Sequence, residues 1–444
     1  MKQRVLLFGS AMLILLCSSV YAADKEVESL RQELDVLRQQ VEELKGVIKQ
    51  QQQVREEESK RLEKAVAEKA DKKESPIISN FKFKPYGYIK LDAAYDDSRT
   101  NYGNFVLYIP NESQHKNDNE YNMTAKQTRL GLDIMAPDTY DWQAWGRMEI
   151  DFYGDGANQE NKPTVLLRHA FVELKKGNFS LLAGQTSDLI APLYMDTLNY
   201  TVGWSVGNIG YRRPQLRGTY TYPFSKTTKI ISALALARTT GTVNSDLDLD
   251  LQNDGEDSGF PTVEGRLAVA TKLLTTNPTV FGLSGHYGEE EIDWQVKPTT
   301  PGNRQSRVKS WSIVGDCELP LTTKLSVKGE FFTGYNLDDF FGGILQGVNP
   351  ATREVIKSMG GWMQLSYKQN DKWNYRLGFG IDDPEEKDLS NTMRSRNSVY
   401  FGNVVYTLIP PVDIGLEYSY WETDHVGLST GTDNRIQTSI IYKW

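Results

Sequence analysis

From about residue 81 to the last residue, the chain reads as sixteen short segments of alternating polarity, joined by connectors that are in turn short and long. The segments run near 83–95, 126–135, 142–153, 166–175, 179–186, 213–222, 229–239, 262–274, 279–288, 307–318, 325–334, 360–369, 373–382, 395–407, 412–421 and 435–444. Short joints are turn sequences such as APDTYD (136–141), KKGN (175–178) and QNDK (369–372), whereas 96–125, 187–212, 240–261, 289–306 and 335–359 are long and mostly polar. An even strand count with tight turns on one side and long loops on the other suits a β-barrel that crosses an outer membrane, which strands of about ten residues can span.

Inside the segments the period is two, as a strand between lipid and water requires. In the last segment Ile436, Thr438, Ile440, Tyr442 and Trp444 share one side, and Arg435, Gln437, Ser439 and Lys443 the other. A soluble sandwich alternates too, so export and aromatic placement must separate the two. Lys2 and Arg4 precede an apolar run at 5–20, and Val20-Tyr21-Ala22 offers a small-residue cleavage site, so residues 1–22 are expected to be a secretory signal peptide. Aromatic residues such as Tyr86, Tyr88, Trp142, Tyr220, Tyr222, Tyr418 and Tyr420 stand at segment ends, where interfacial girdles need them. These features place the chain in the cell outer membrane.

The formal charge of −8, about −10 once Lys2 and Arg4 leave with the signal, argues against a nucleic-acid partner. Cys17 leaves with the signal too, so Cys317 is alone and no intrachain disulfide is expected. His115, His169, His286 and His425 are scattered, and no metal cluster or cofactor is legible. The acidic stretch 245–257 lacks the spacing of a calcium loop and reads as a solvated loop, with a divalent-ion or lipopolysaccharide-bridging site as the alternative. Ser284 and His286 in GLSGHYG do not form a nucleophile elbow, so an outer-membrane hydrolase has little support and no enzyme is expected.

Ahead of the barrel, Val27, Leu30, Leu34, Leu37, Val41, Leu44 and Ile48 alternate spacings of three and four, which is a heptad seam. The expected fold class is therefore all-β, a sixteen-stranded antiparallel transmembrane β-barrel preceded by an α-helical coiled coil. The expected domains are the signal peptide (1–22), a periplasmic coiled coil (23–75) and the barrel (76–444). Residues 26–70 would form a rod of roughly 65 Å at 1.5 Å per residue. Such a rod also admits a different role, a structural tether with the barrel as its anchor.

YGYIKLD (86–92), RHAFVEL (168–174), GQTSD (184–188) and GYRRPQLR (210–217), in this order behind a signal and a coiled coil, resemble the DcaP-like trimeric porins over essentially the whole mature chain. The resemblance implies a trimeric channel taking up small anions such as dicarboxylates, surrounded by outer-membrane lipid and lipopolysaccharide. Valine or isoleucine at a with leucine at d would favour two strands in a free coil. The far larger barrel interface favours the homotrimer. Porins usually end in Phe and this chain ends in Trp444, but Ile440, Tyr442 and Trp444 keep the pattern of outward hydrophobes that the barrel-assembly machinery reads.

The joint 187–212 holds Tyr194, Met195, Tyr200 and Trp204 among other apolar residues, a poor composition for a surface loop and a suitable one for a constriction folded into the lumen. Lys90, Arg129, Arg147, Arg213, Arg217, Arg266 and Arg376 fall on inward parity and would guide anions. Guanidinium suits this task because it binds carboxylate as a fork and keeps its proton. The alternative is that they neutralise the inward acids Asp92, Asp133, Glu149, Asp151, Glu173, Glu264, Glu330 and Glu417.

Overall fold

The computed structural model describes residues 80–444 except 113–117, 155–161, 242–252 and 295–303, with scattered positions between 42 and 60. The expected signal peptide and the heptad residues Val27 to Ile48 lie outside the described residues. The described positions between 42 and 60 are helical, and Lys45 pairs with Glu42 at 2.8 Å on an exposed face. The chain divides into two compact units, Met1–Asn80 and Phe81–Trp444.

The second unit is one antiparallel sheet closed on itself. Its strands are β1 Lys82–Asp96, β2 Glu120–Thr124, β3 Arg129–Met135, β4 Gln143–Asp151, β5 Leu166–Lys176 and β6 Phe179–Ser187. There follow β7 Arg212–Pro223, β8 Thr228–Ala237, β9 Thr262–Thr271, β10 Thr279–Trp294, β11 Arg304–Pro320 and β12 Leu325–Tyr335. The last are β13 Lys357–Lys368, β14 Trp373–Pro384, β15 Arg394–Ile409, β16 Val412–His425 and β17 Gly431–Lys443. Closure comes from β1 against β17, with Tyr88 opposite Lys443 and Asp96 opposite Arg435. Seventeen strands make sixteen staves because β2 and β3 lie along one side of β1, opposite Asp92–Asp96 and Lys82–Tyr88 respectively. The stave expected at 126–135 is thus longer than its polarity pattern showed and is interrupted at 125–128. There Thr128 N bonds the Ala125 carbonyl at 3.0 Å and the Thr128 hydroxyl accepts Lys90 N at 3.2 Å.

β10 and β11 also outrun the expected 279–288 and 307–318. Their pairing continues to Trp294 opposite Arg304, and Arg307 Nε bonds Glu291 at 2.9 Å. Backbone pairing needs no lipid, so the ladder continues in charged sequence where apolar alternation has stopped.

Burial is inverted relative to a soluble barrel. Outward Ile89, Leu91, Ile436 and Ile440 are exposed, while their inward neighbours Lys90, Asp92, Arg435 and Gln437 are buried. An apolar outer face with polar groups sequestered inside requires a lipid exterior. The inward space is filled by segments 97–112, 188–211 and 336–356. Val106 and Ile109 meet Val206, Val399 and Trp421, and Ile190 and Ile209 meet Leu337, Phe340 and the wall residues Val314 and Phe332.

Candidate functional site

A loop laid inside a barrel carries backbone N–H groups that have lost water, and each needs a partner. In 188–211 the wall supplies them. Leu189 N bonds Glu264 on β9 at 2.5 Å, Leu193 N bonds Glu330 on β12 at 2.8 Å, Asp196 N bonds Gln364 on β13 at 2.7 Å, and Leu198 N bonds Glu417 on β16 at 2.8 Å. The strap reaches β1, where Lys90 Nζ donates to the Leu198 carbonyl at 2.8 Å. At its neck, Asp188 takes Arg213 Nε and Tyr211 N, each at 2.9 Å. The return limb is tight: Gly207 sits at φ 107°, and a Cβ there would overlap the Gly361 carbonyl. Three acids expected on the inner wall, Glu264, Glu330 and Glu417, therefore hold a loop.

On the other side of the strap lies a cavity of about 430 Å³. Arg129, Arg147, Arg168 and Arg212 line its wall, and Tyr194, Met195, Tyr200 and Trp204 line its loop face. Trp204 is buried and stacks on Phe341 with centroids 4.6 Å apart, and Tyr200 stacks on Tyr153 at 3.9 Å, so this face is a packed one. Burial pushes the Tyr200 phenol up from its ordinary value, against the pull of Arg168 and Arg212. Burial also acts to raise the Asp196 carboxyl, but Lys328, the Gln364 bond and Arg376 bring it below its ordinary value.

The seven expected cations separate by place. Arg129 and Arg147 line the cavity, and Arg147 forks onto Asp133 at 2.7 and 3.1 Å. Lys90 is buried against Asp92 at 3.1 Å. Arg213 is held by Asp188, Arg217 bonds Gln215 and the Ser187 carbonyl, and Arg266 forks onto Asp316. Arg376 faces a second cavity of about 430 Å³ together with Asp196 and Lys328.

Arg168 and Arg212 were not among the expected residues. At β4–β5 the register slips between Glu149 and Ile150, which turns Arg168 inward beside His169. Arg212 opens β7 next to inward Arg213, and both are buried. Strict period-two counting sends both residues to the lipid face. The available signal was the cost of arginine in lipid, which favours any bulge or strand end that turns it in.

The model of the DcaP outer membrane protein family matches residues 14–235, half of the chain. The chain belongs to the DcaP outer membrane protein family. Among solved structures, the DcaP channel of Acinetobacter baumannii is 17% identical with a TM-score of 0.63, the match covering 82% of this chain and 98% of that one. The anion-selective porin of Comamonas acidovorans is 12% identical with a TM-score of 0.53, covering 82% and 100%. A trimer form of the outer membrane protein OmpT of Vibrio cholerae is 11% identical with a TM-score of 0.51, covering 82% and 99%. At these identities the likeness is one of fold. No curated protein sequence matches the chain. As a DcaP-family barrel it resides in the outer membrane.

Proposed function

We propose that this DcaP-family barrel is a homotrimeric porin for passive uptake of small hydrophilic solutes, with a preference for dicarboxylate-like anions. One observation carries the reading: four wall arginines and the inward loop line one cavity of about 430 Å³. Cations concentrated at a narrow passage lower the barrier for anions. In this reading Arg129 and Arg147 guide solutes through the constriction, with Lys90, Arg213, Arg217, Arg266 and Arg376 adding positive potential along the wall. Tyr194, Met195, Tyr200 and Trp204 set its width. Ile440, Tyr442 and Trp444 present outward hydrophobes to the assembly machinery, and residues 23–75 form a periplasmic coiled coil. The anion-selective and trimeric porins among the structural neighbours support the assignment.

Planar-bilayer recording of the purified protein across a potassium chloride gradient tests it. Conductance steps in groups of three with an anion-sign reversal potential are expected, as is current carried by succinate. Absence of conductance, or a cation-sign potential, overturns the proposal.

A further inference from the structure

On the long-loop side of the barrel, acids gather without a matching base. Glu290 lies on the outer extension of β10, and Asp338 and Asp339 follow β12. Asp338, Asp339 and Asp254 all stand near enough to oppose the charge of Glu290, and Glu290 and Asp254 are buried. The bases closest to Asp339 are Arg213 and Arg238, and they pair with Asp188 and Glu256 instead. Among the described residues no ion pair involves Glu290, Asp338 or Asp339.

Crowded carboxylates alone mark no site. The deciding group is Asn336, which is only 1% exposed and whose side-chain amide is divided between two acids. Its Nδ2 donates to Glu290 at 3.0 Å. Its Oδ1 has no hydrogen-bond partner and stands beside Asp338 Oδ1, because a Cβ added to Gly347 would overlap both oxygens at once. Two acceptors side by side, one of them buried and unbonded, are costly unless a positive group joins them. Carboxylate and amide oxygens are the ligands of hard divalent cations, and calcium accepts an irregular set of them at about 2.3–2.6 Å, with water completing its shell.

We infer that Asn336 Oδ1 and Asp338 bind a calcium ion. Glu290 is the positioning residue: by taking Nδ2 it turns Oδ1 toward the ion, as a carboxylate behind a metal ligand does. Asp338 is only partly buried, so the ion enters from its side. Bound there, it braces the inward loop from behind. Gly210 N and Ser205 N of that loop bond the carbonyls of Phe340 and Phe341 at 2.8 Å each, in the segment that begins with Asp338.

The test is hydrogen exchange at 336–347 in the full-length protein in detergent, stripped with EDTA and then given calcium chloride or, at equal ionic strength, sodium chloride. The calcium concentration is about 5 mM, above the roughly 0.1–1 mM at which extracellular calcium sites bind. Calcium is expected to slow exchange about ten-fold, as a ligand at ten times its dissociation constant does, and sodium to leave it unchanged. D338N is expected to lose the calcium response. N336D, which places a charged oxygen at the same point, is expected to reach protection at lower calcium. Exchange that calcium does not slow in the unmodified protein overturns the inference, as does an equal response in D338N. Asn336 is then turned over, with Nδ2 on Asp338 and a protonated Glu290 donating to its oxygen. If D338N does not assemble, an N336D protein that needs as much calcium as the unmodified one overturns it.

Discussion

Glu417 accepts the main-chain N–H of Leu198 at 2.8 Å across 219 positions of sequence, with Asn403 Nδ2 donating to the same carboxylate oxygen at 2.8 Å. This junction holds the far end of the inward loop to β16, as Glu330 holds its middle to β12. A buried hydrogen bond is worth about 0.5–1.5 kcal/mol, and breaking one leaves a buried N–H stranded. Replacing Glu330 and Glu417 together by Ala is expected to free the strap. Single-channel records should then show frequent flicker and a changed mean conductance, whereas quiet steps at the original level would show that packing alone holds the loop.

Tyr86 occupies the space where a side chain at Gly131 would stand, donates to Glu149 at 2.8 Å, and lies under the Arg147 guanidinium 4.9 Å away. Gly131→Leu must displace the ring and with it both contacts. Overpacking of this kind costs about 1–3 kcal/mol. The expected result is a lower urea midpoint for barrel unfolding, with a smaller drop for Gly131→Ala; a midpoint equal to that of the unmodified barrel would count against the packing described.

Glu385, just after β14, bonds Lys357 at 2.5 Å and Lys387 at 2.6 Å, and these bonds depress its carboxyl from the ordinary 4.5 to about 2. A depressed carboxyl stabilises the folded loop fully above pH 4.5 and loses that contribution as the pH falls through about 2. Hydrogen exchange in 385–393 should therefore be faster in Glu385→Gln than in the unmodified chain at pH 7, with the difference shrinking toward pH 2. The effect is expected to be small because the group is partly open to solvent. A difference that grows on acidification would contradict the assignment.

Trp444 N bonds the Gly87 carbonyl at 3.2 Å, and its indole lies against Gly87 at the β1–β17 seam. Phenylalanine keeps an outward aromatic at that place, so Trp444→Phe is expected to insert at an undiminished level. Deleting 442–444 removes two outward aromatics and the end of the seam, and should leave little heat-modifiable barrel in outer-membrane fractions. Equal insertion of the truncated chain would separate assembly from this end.

Most staves could be read because a period of two has a single physical meaning here: lipid on one side and polar groups on the other. Ile436 and Arg435 had only one arrangement open to them, and the same holds through most of β4 to β17. The expectation failed where backbone irregularity breaks parity or where strands leave the bilayer. Arg168 is turned inward by a register slip, Thr128 marks an interruption in the second stave, and Glu289 to Asp293 continue a ladder that no longer needs apolar residues.

By itself the sequence determined the number of staves, their direction, the faces that meet lipid, and the inward course expected of 187–212. Each of these follows from local composition acting through one solvent boundary. Only the tertiary structure decided which acids answer which cations. Pairings such as Lys328 with Asp196, and Glu417 with the Leu198 amide, depend on where the inward loop meets the wall, which sequence separation does not encode. It also decided that Arg212 forms no ion pair among the described residues and lies instead over the Tyr211 and Trp204 rings.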